Sequence, residues 1–324
     1  MAKAPEFHSP SAILHPHPIF LAGPTAVGKS AVALALAESL GGEIISVDSM
    51  QVYRGLDLGT AKPTAAERAR VPHHLLDVCD LQASFDAAQF VRLAQSAMTE
   101  IQARGRTPIF CGGTGLYFTA FLEGLGDAPP ADEQLRAKLA IAPLAELLAE
   151  LQAQDPATYE KIDQKNPRRV QRAIEVIRLT GRTYSEQRAA WTAASLPPAP
   201  ASHRFCFTRQ AEDLHQRIHA RVDEMFSRGL VEETRRLLPQ GLAENQTAMQ
   251  AIGYRQVVEY LRGERGPSET IELVKIRTRQ FAKRQMTWWR RHGNWQWLEL
   301  KPSETVGETL ARISLAIRMA GAVA

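Results

Sequence analysis

The stretch that most constrains this chain is Gly23-Pro-Thr-Ala-Val-Gly-Lys-Ser30, which fits G-x-x-x-x-G-K-[ST]. Such a loop turns backbone N–H groups inward around phosphate oxygens. The helix opening near Lys29 aims its positive end at the same point. Lys29 adds a point charge and Ser30 a hydroxyl suited to Mg²⁺. The motif carries weight only between a strand and a helix, and both are present. Ile19-Phe20-Leu21-Ala22 is a short apolar run bounded by proline and glycine, the pattern of a buried strand. Ala31 to Leu40 is rich in Ala and Leu, and Gly41-Gly42 stops it. Gly23, Pro24, Thr25, Ala26, Val27, Gly28, Lys29 and Ser30 are therefore assigned to a diphosphate- or nucleotide-binding loop.

The alternation continues. Glu43 to Val47 is predicted to be a strand, Ala87 to Arg104 a helix, and Thr107 to Cys111 a strand ending at Gly112-Gly113. Strands alternating with helices specify a parallel sheet with helices on both faces. The segment from Glu133 to Ala194 shows helical patterns only. It lies between two proline-rich joints, at 127–132 and 196–202. Arg204 to Thr208 resumes as a strand, and helices are predicted over 211–238, 254–262 and 269–292. The expected fold class is α/β, a P-loop NTPase-like parallel sheet flanked by helices, with an inserted all-helical domain. The expected divisions are a disordered leader over 1–17, a catalytic core over 18–126 and 203–324, and a helical insertion over 127–202.

Which phosphate compound binds is a separate question. A nucleotide hydrolase or kinase is the default for such a loop, and these enzymes hold Mg²⁺ with an acid that closes a second strand. The strand ending at Gly112-Gly113-Thr114 has no acid. Asp48 closes the strand from Ile44 to Val47, which is expected to lie beside the P-loop strand with its acid in the ligand crevice. Asp48 is suited to holding metal through water, to general-base work, or to capping the turn at Ser49. Arg217 and Arg221 lie four apart and share one helix face, either solvated or turned to the diphosphate. From Lys275 to Arg291 there are seven Lys or Arg residues and no acid, interleaved with Phe281, Trp288 and Trp289. Such a strip suits RNA phosphates and stacked bases. It equally suits an amphipathic core helix with a basic outer side, and the tryptophans suit a core.

Several segments occur together and in order: the P-loop, Val47-Asp-Ser-Met-Gln-Val-Tyr-Arg54, Asp57-Leu-Gly-Thr-Ala-Lys-Pro63, Pro72-His-His-Leu75, Gly112-Gly-Thr-Gly-Leu-Tyr117, Asn166-Pro-Arg-Arg-Val-Gln-Arg172, Ala251-Ile-Gly-Tyr-Arg255 and Arg279-Gln-Phe-Ala-Lys-Arg-Gln-Met-Thr-Trp288. From about Ile19 to Trp297 the chain resembles the tRNA dimethylallyltransferases, and the combination is far more specific than the P-loop alone. The resemblance implies transfer of a dimethylallyl group from dimethylallyl diphosphate to N6 of the adenosine at position 37 of a tRNA. It implies Asp48 as general base, with Thr114, Arg217 and Arg221 beside it in the catalytic set and Mg²⁺, through Ser30, as cofactor. It further implies tRNA contacts from Asp48, Ser49, Met50, Gln51 and Thr114. The helical insertion would add Arg168, Arg169, Val170, Gln171 and Arg172. Gln250, Ala251, Ile252, Gly253, Tyr254 and Arg255 would contribute, as would Arg279, Lys283 and Arg284. The partner would be the anticodon stem-loop, its target base flipped into a positively charged channel. The chain shows no zinc-finger spacing after Trp297, which suits the bacterial-type members.

Composition excludes little more. The formal net charge of +4 is too mild to indicate nucleic acid by itself. Cys79, Cys111 and Cys206 are far apart with no CxxC spacing, which argues against a zinc site and a disulfide framework and fits a reducing cytosol. No apolar run approaches membrane-spanning length. A cytoplasmic monomer is expected.

Overall fold

The computed structural model describes residues 17–124, 129, 131–189 and 203–321. The expected leader up to residue 16, half of the 127–132 joint, the end of the helical stretch after 189 and the 196–202 joint lie outside these residues. The chain divides into two compact units, Met1–Phe118 with Pro198–Ala324, and Thr119–Pro197.

The first unit contains, in chain order, β1 (Ile19–Ala22), α1 (Lys29–Leu40), β2 (Glu43–Val47), α2 (Ala65–Arg70), β3 (His73–His74), α3 (Ala87–Ala103), β4 (Pro108–Gly112) and the start of α4 (Gly115–Glu123). The second contains α5 (Glu133–Ile141), α6 (Leu144–Gln154), α7 (Pro156–Lys161), α8 (Pro167–Thr180) and α9 (Tyr184–Ala189). The first unit then resumes with β5 (Arg204–Thr208), α10 (Ala211–Ser227), α11 (Leu230–Leu237), α12 (Tyr254–Leu261), α13 (Pro267–Arg291), β6 (Gln296–Glu299) and α14 (Val306–Gly321). The described strands form one parallel sheet in the order β3-β2-β4-β1-β5-β6.

The central strands are buried on both faces, as a parallel sheet between helices requires. Ile19 and Leu21, Ile109 and Cys111, and Phe205 and Phe207 point to one side. There they join Val32 and Leu36 of α1, Ile218 of α10 and Ile313 of α14 in one core. The alternate residues point the other way, where Phe20 stacks on Phe110 at 4.8 Å and Phe118 meets Trp289 and Trp295 edge-on. Trp289 and Trp295 are therefore core residues, whereas Trp297 on β6 is exposed.

The sequence expectations need four corrections. The helix predicted over 211–238 is two helices, because Gly229 takes φ 97° and turns the chain between α10 and α11. The strand bearing Asp48 is not beside the P-loop strand: β4 stands between them, and the neighbours of β1 are β4 and β5. The third strand is shifted one residue, to Pro108–Gly112. Finally, α2, β3, α4, β6 and α14 are additional to the elements that the sequence pattern predicts.

In the second unit α8 shows why its residues fold as they do. Asn166 caps the N-terminus by accepting from Arg169 N, Pro167 occupies the first turn, and Gly181 ends the helix in a left-handed turn. Val170, Ala173, Ile174 and Ile177 recur at helical spacing and pack against Leu139, Leu147 and Leu151.

Candidate active site

The loop after β1 has the shape the motif requires. Gly23 and Gly28 take positive φ, and so does Ala26 at 63°. Lys29 is buried, and its Nζ donates to the Pro24 carbonyl at 2.7 Å. Burial pulls the Lys29 ammonium down from an ordinary 10.5 to about 8; Arg221 pulls the same way, while Cys111 and Asp48 oppose it.

Three arginines brace the loop from outside. Arg217 Nε donates to the Ala26 carbonyl at 2.9 Å, and Arg221 reaches Thr25 Oγ1 at 3.3 Å. This places the shared face of α10 against the P-loop rather than in solvent. The third, Arg209, donates through Nε to the Val27 carbonyl at 2.8 Å and pairs with Asp213 at 2.7 Å. A Cβ on Gly28 would lie within 3.8 Å of both the Arg209 and Arg217 guanidinium groups. Burial and the mutual repulsion of neighbouring guanidinium groups lower the pKa of Arg217 and Arg221. Positive charge is therefore concentrated around an anion-sized loop.

Asp48 follows β2 in the same unit. Its Oδ1 accepts from Met50 N at 2.8 Å and Gln51 N at 3.2 Å, so it does cap the turn. Among the described residues Oδ2 accepts no hydrogen bond, so the cap leaves one carboxylate oxygen for chemistry. Burial pushes the Asp48 carboxyl above its ordinary range, held back by the two N–H groups and by Lys29 and Lys62. Thr114 holds this turn in place: its Oγ1 accepts from Ser49 N at 3.1 Å, and its N–H donates to the Val47 carbonyl at 3.2 Å. The Gln51 side chain is spent inside the protein, accepting from Ser46 Oγ and donating to the Thr60 and Ala61 carbonyls.

The remaining expected RNA contacts separate by exposure. Arg168 and Arg169 are exposed, Val170 is core, and Gln171 donates to the Leu139 carbonyl. Arg172 pairs with the buried Glu175 at 2.6 Å and also donates to the Pro129 carbonyl. Gln250 and Arg255 are exposed and Ile252 is half-buried, whereas Ala251, Gly253 and Tyr254 are buried. The Tyr254 hydroxyl donates to Glu233 at 2.5 Å and accepts from Gly59 N, which ties α12 to the 57–60 loop. On α13, Lys283 and Arg284 are exposed, Arg284 lies over the Phe281 ring, and Arg279 bonds His219. Lys275, at the start of the basic strip, pairs with Asp223 of α10.

Comparison with known proteins then decides the family. The IPP transferase family model matches residues 51–292. The chain belongs to the IPP transferase family. It is 45% identical over 289 residues to tRNA dimethylallyltransferase 1 of Trichlorobacter lovleyi, covering 88% of this chain and 94% of that protein. It is 47% identical over 273 residues to tRNA dimethylallyltransferase of Halorhodospira halophila, covering 83% and 88%. The crystal structure of the full-length tRNA isopentenylpyrophosphate transferase from Bacillus halodurans is 37% identical, with a TM-score of 0.67 over 95% of this chain and 99% of that one. A eukaryotic dimethylallyltransferase captured acting on tRNA is 28% identical, with a TM-score of 0.72 over 87% and 73%. The α/β fold with a six-stranded parallel sheet is therefore that of the IPP transferases.

Two residues of this family member escaped the sequence reading. Arg209 is the first residue after β5, at the carboxyl end of a strand adjoining the P-loop strand, but that adjacency is visible only in three dimensions. Gln285 left a faint signal. It sits on the buried stripe of α13 with Ala282 and Trp289, where a polar side chain needs a partner. Among the described residues no cluster of three or more His, Cys, Asp or Glu could hold a metal by side chains alone. The exposed Ser30 hydroxyl is a hard oxygen donor that fits Mg²⁺ bound chiefly by phosphate and water.

Proposed function

We propose that this chain transfers the dimethylallyl group of dimethylallyl diphosphate to N6 of the adenosine at position 37 of a tRNA. The relatives compared above are tRNA dimethylallyltransferases by name, and the site supports the same chemistry. The observation that carries the reading is the pairing, in one unit, of a cation-braced P-loop with a half-buried carboxylate holding one oxygen open, beside a strand end without acid.

In the reaction the allylic C–O bond breaks, a C–N bond forms at N6, and the amine loses a proton. The breaking bond loads negative charge onto the departing diphosphate. Lys29, Arg217, Arg221 and the loop N–H groups stabilise that charge as it develops. Mg²⁺, held through Ser30 and the diphosphate oxygens, would neutralise part of the same charge. Asp48 Oδ2 takes the proton of a weakly nucleophilic amine as the C–N bond forms. Thr114 keeps Asp48 in position. An adenine inside the anticodon loop cannot reach this carboxylate, so the base is flipped out of its stack. Single-stranded loops are read by stacking and by contacts to exposed edges. The exposed Arg168, Arg169, Gln250, Arg255, Lys283 and Arg284 are the side chains best suited to hold that loop. The helical insertion supplies the first two.

Incubation with carbon-labelled dimethylallyl diphosphate and unmodified tRNA is expected to carry label into acid-precipitable RNA. Labelled ATP in the same mixture is expected to transfer no phosphoryl group. Phosphoryl transfer without prenylation would replace this reading with that of a kinase.

A further inference from the structure

The donor and acceptor halves of this site stand on different strands. The P-loop follows β1, Asp48 follows β2, and β4 separates them. Transfer therefore depends on something fixing the two halves relative to each other. One buried side chain joins the P-loop to the end of the intervening strand. Gln285 of α13 is 7% exposed. Its Oε1 accepts from Thr25 N in the P-loop at 2.9 Å, and its Nε2 donates to the Gly113 carbonyl at 2.9 Å.

The two bonds fix the amide's orientation. Turned over, it would set N–H against N–H at Thr25 and oxygen against oxygen at Gly113. Gly113 also makes room for it, since a Cβ there would lie 2.3 Å from Nε2. The connection continues to the carboxylate. Gly113 is followed by Thr114, which grips Val47 and Ser49 on either side of Asp48. The path runs from Thr25 through Gln285, Gly113, Thr114 and Ser49 to Asp48.

We propose that Gln285 is the positioning residue that sets the distance between the leaving diphosphate and the nucleophilic amine, and so decides whether the allylic carbon is captured by tRNA or by water. The proposal rests on the prenyl-transfer reading above. Gln285 touches no reacting atom. When the halves drift apart, the C–O bond to diphosphate still breaks. Water then forms the new C–O bond, releases a proton to solvent, and yields dimethylallyl alcohol and diphosphate. Faulty positioning therefore leaves a chemical record that simple loss of stability does not.

The test measures, on the full chain with unmodified tRNA and dimethylallyl diphosphate, the single-turnover transfer rate, the KM for tRNA and the ratio of alcohol to prenylated tRNA. Gln285→Leu keeps the bulk and loses both bonds; Gln285→Asn keeps the amide and loses its reach. Gly113→Ala dislodges the same amide from the opposite side, and serves where a Gln285 variant does not fold. The expected result is a transfer rate about 10- to 100-fold lower. The KM for tRNA should stay within about threefold, marking an effect on the transition state rather than on binding. The alcohol fraction should rise in every folded variant. A folded Gln285→Leu protein with the parent ratio of alcohol to product overturns the proposal, whether its rate is kept or lost. An unsubstituted chain that never prenylates tRNA would instead remove the functional reading, and the proposal with it.

Discussion

Asp48 holds a turn and, on the proposed reading, also accepts a proton, and its two oxygens divide these duties. Oδ1 holds the turn through Met50 and Gln51, while Oδ2 stays open. Asp48→Asn keeps an acceptor for the turn and removes the base. Transfer is expected to fall by about 10²- to 10⁴-fold, with tRNA affinity near that of the parent in a filter-binding titration. Equal loss of affinity and rate would place Asp48 in binding alone. The pH dependence follows from two groups. Asp48 must be ionised to accept a proton, and burial raises its pKa, so activity should climb through a pH above the ordinary carboxylate range. Lys29 must be protonated to hold diphosphate, and its pKa is depressed to about 8, so activity should fall above that pH. The resulting bell in kcat/KM reports the free enzyme. A profile flat from pH 7 to 10 would exclude Lys29 as a titrating contact. At this scale the sequence was legible wherever a side chain belongs to a local motif, as with Lys29, Asp48 and Thr114. Arg209 and Gln285 act through backbone groups 182 and 260 residues away, which no local pattern encodes.

Elements announce themselves by period, and those with strong period were found. The strands β1, β2, β4 and β5 are apolar runs, and α8 and α13 have clear buried stripes. The strand order was not legible, because pairing is decided by long-range packing rather than by local preference. The edge strands β3 and β6 are too short or too exposed to show a pattern. The break after α10 turned on Gly229 alone. Within α8 two of the three arginines expected to hold RNA are unequal. Arg169→Ala should reduce the slope of log affinity against log salt by about 0.7 to 0.9, the loss of one phosphate contact. Arg172→Ala removes one of the two bonds to Oε2 of the buried Glu175, leaving Arg136 on both oxygens and Asp132 N on Oε1. It should cost about 1–3 kcal/mol in thermal or urea unfolding. An unchanged salt slope for Arg169→Ala would remove it from the RNA surface.

Across the whole molecule, the family explains what composition could not. A net charge of +4 is unremarkable for a globular chain. No described helix is long and apolar enough to cross a membrane. A P-loop in an α/β sheet would ordinarily point to nucleotide chemistry. Here the acid lies two strands from the P-loop strand, and the intervening strand ends in glycines. The central claim is that the bound diphosphate departs whole while its organic group passes to tRNA. The most direct measurement is nucleoside mass spectrometry of unmodified tRNA after incubation with dimethylallyl diphosphate and Mg²⁺. The account predicts one dimethylallyl group replacing hydrogen on a single adenosine, with diphosphate released one for one and the modified adenosine formed about 10²- to 10⁴-fold more slowly by Asp48→Asn. Unmodified adenosine throughout, alongside phosphate transferred from ATP to an acceptor, would contradict it.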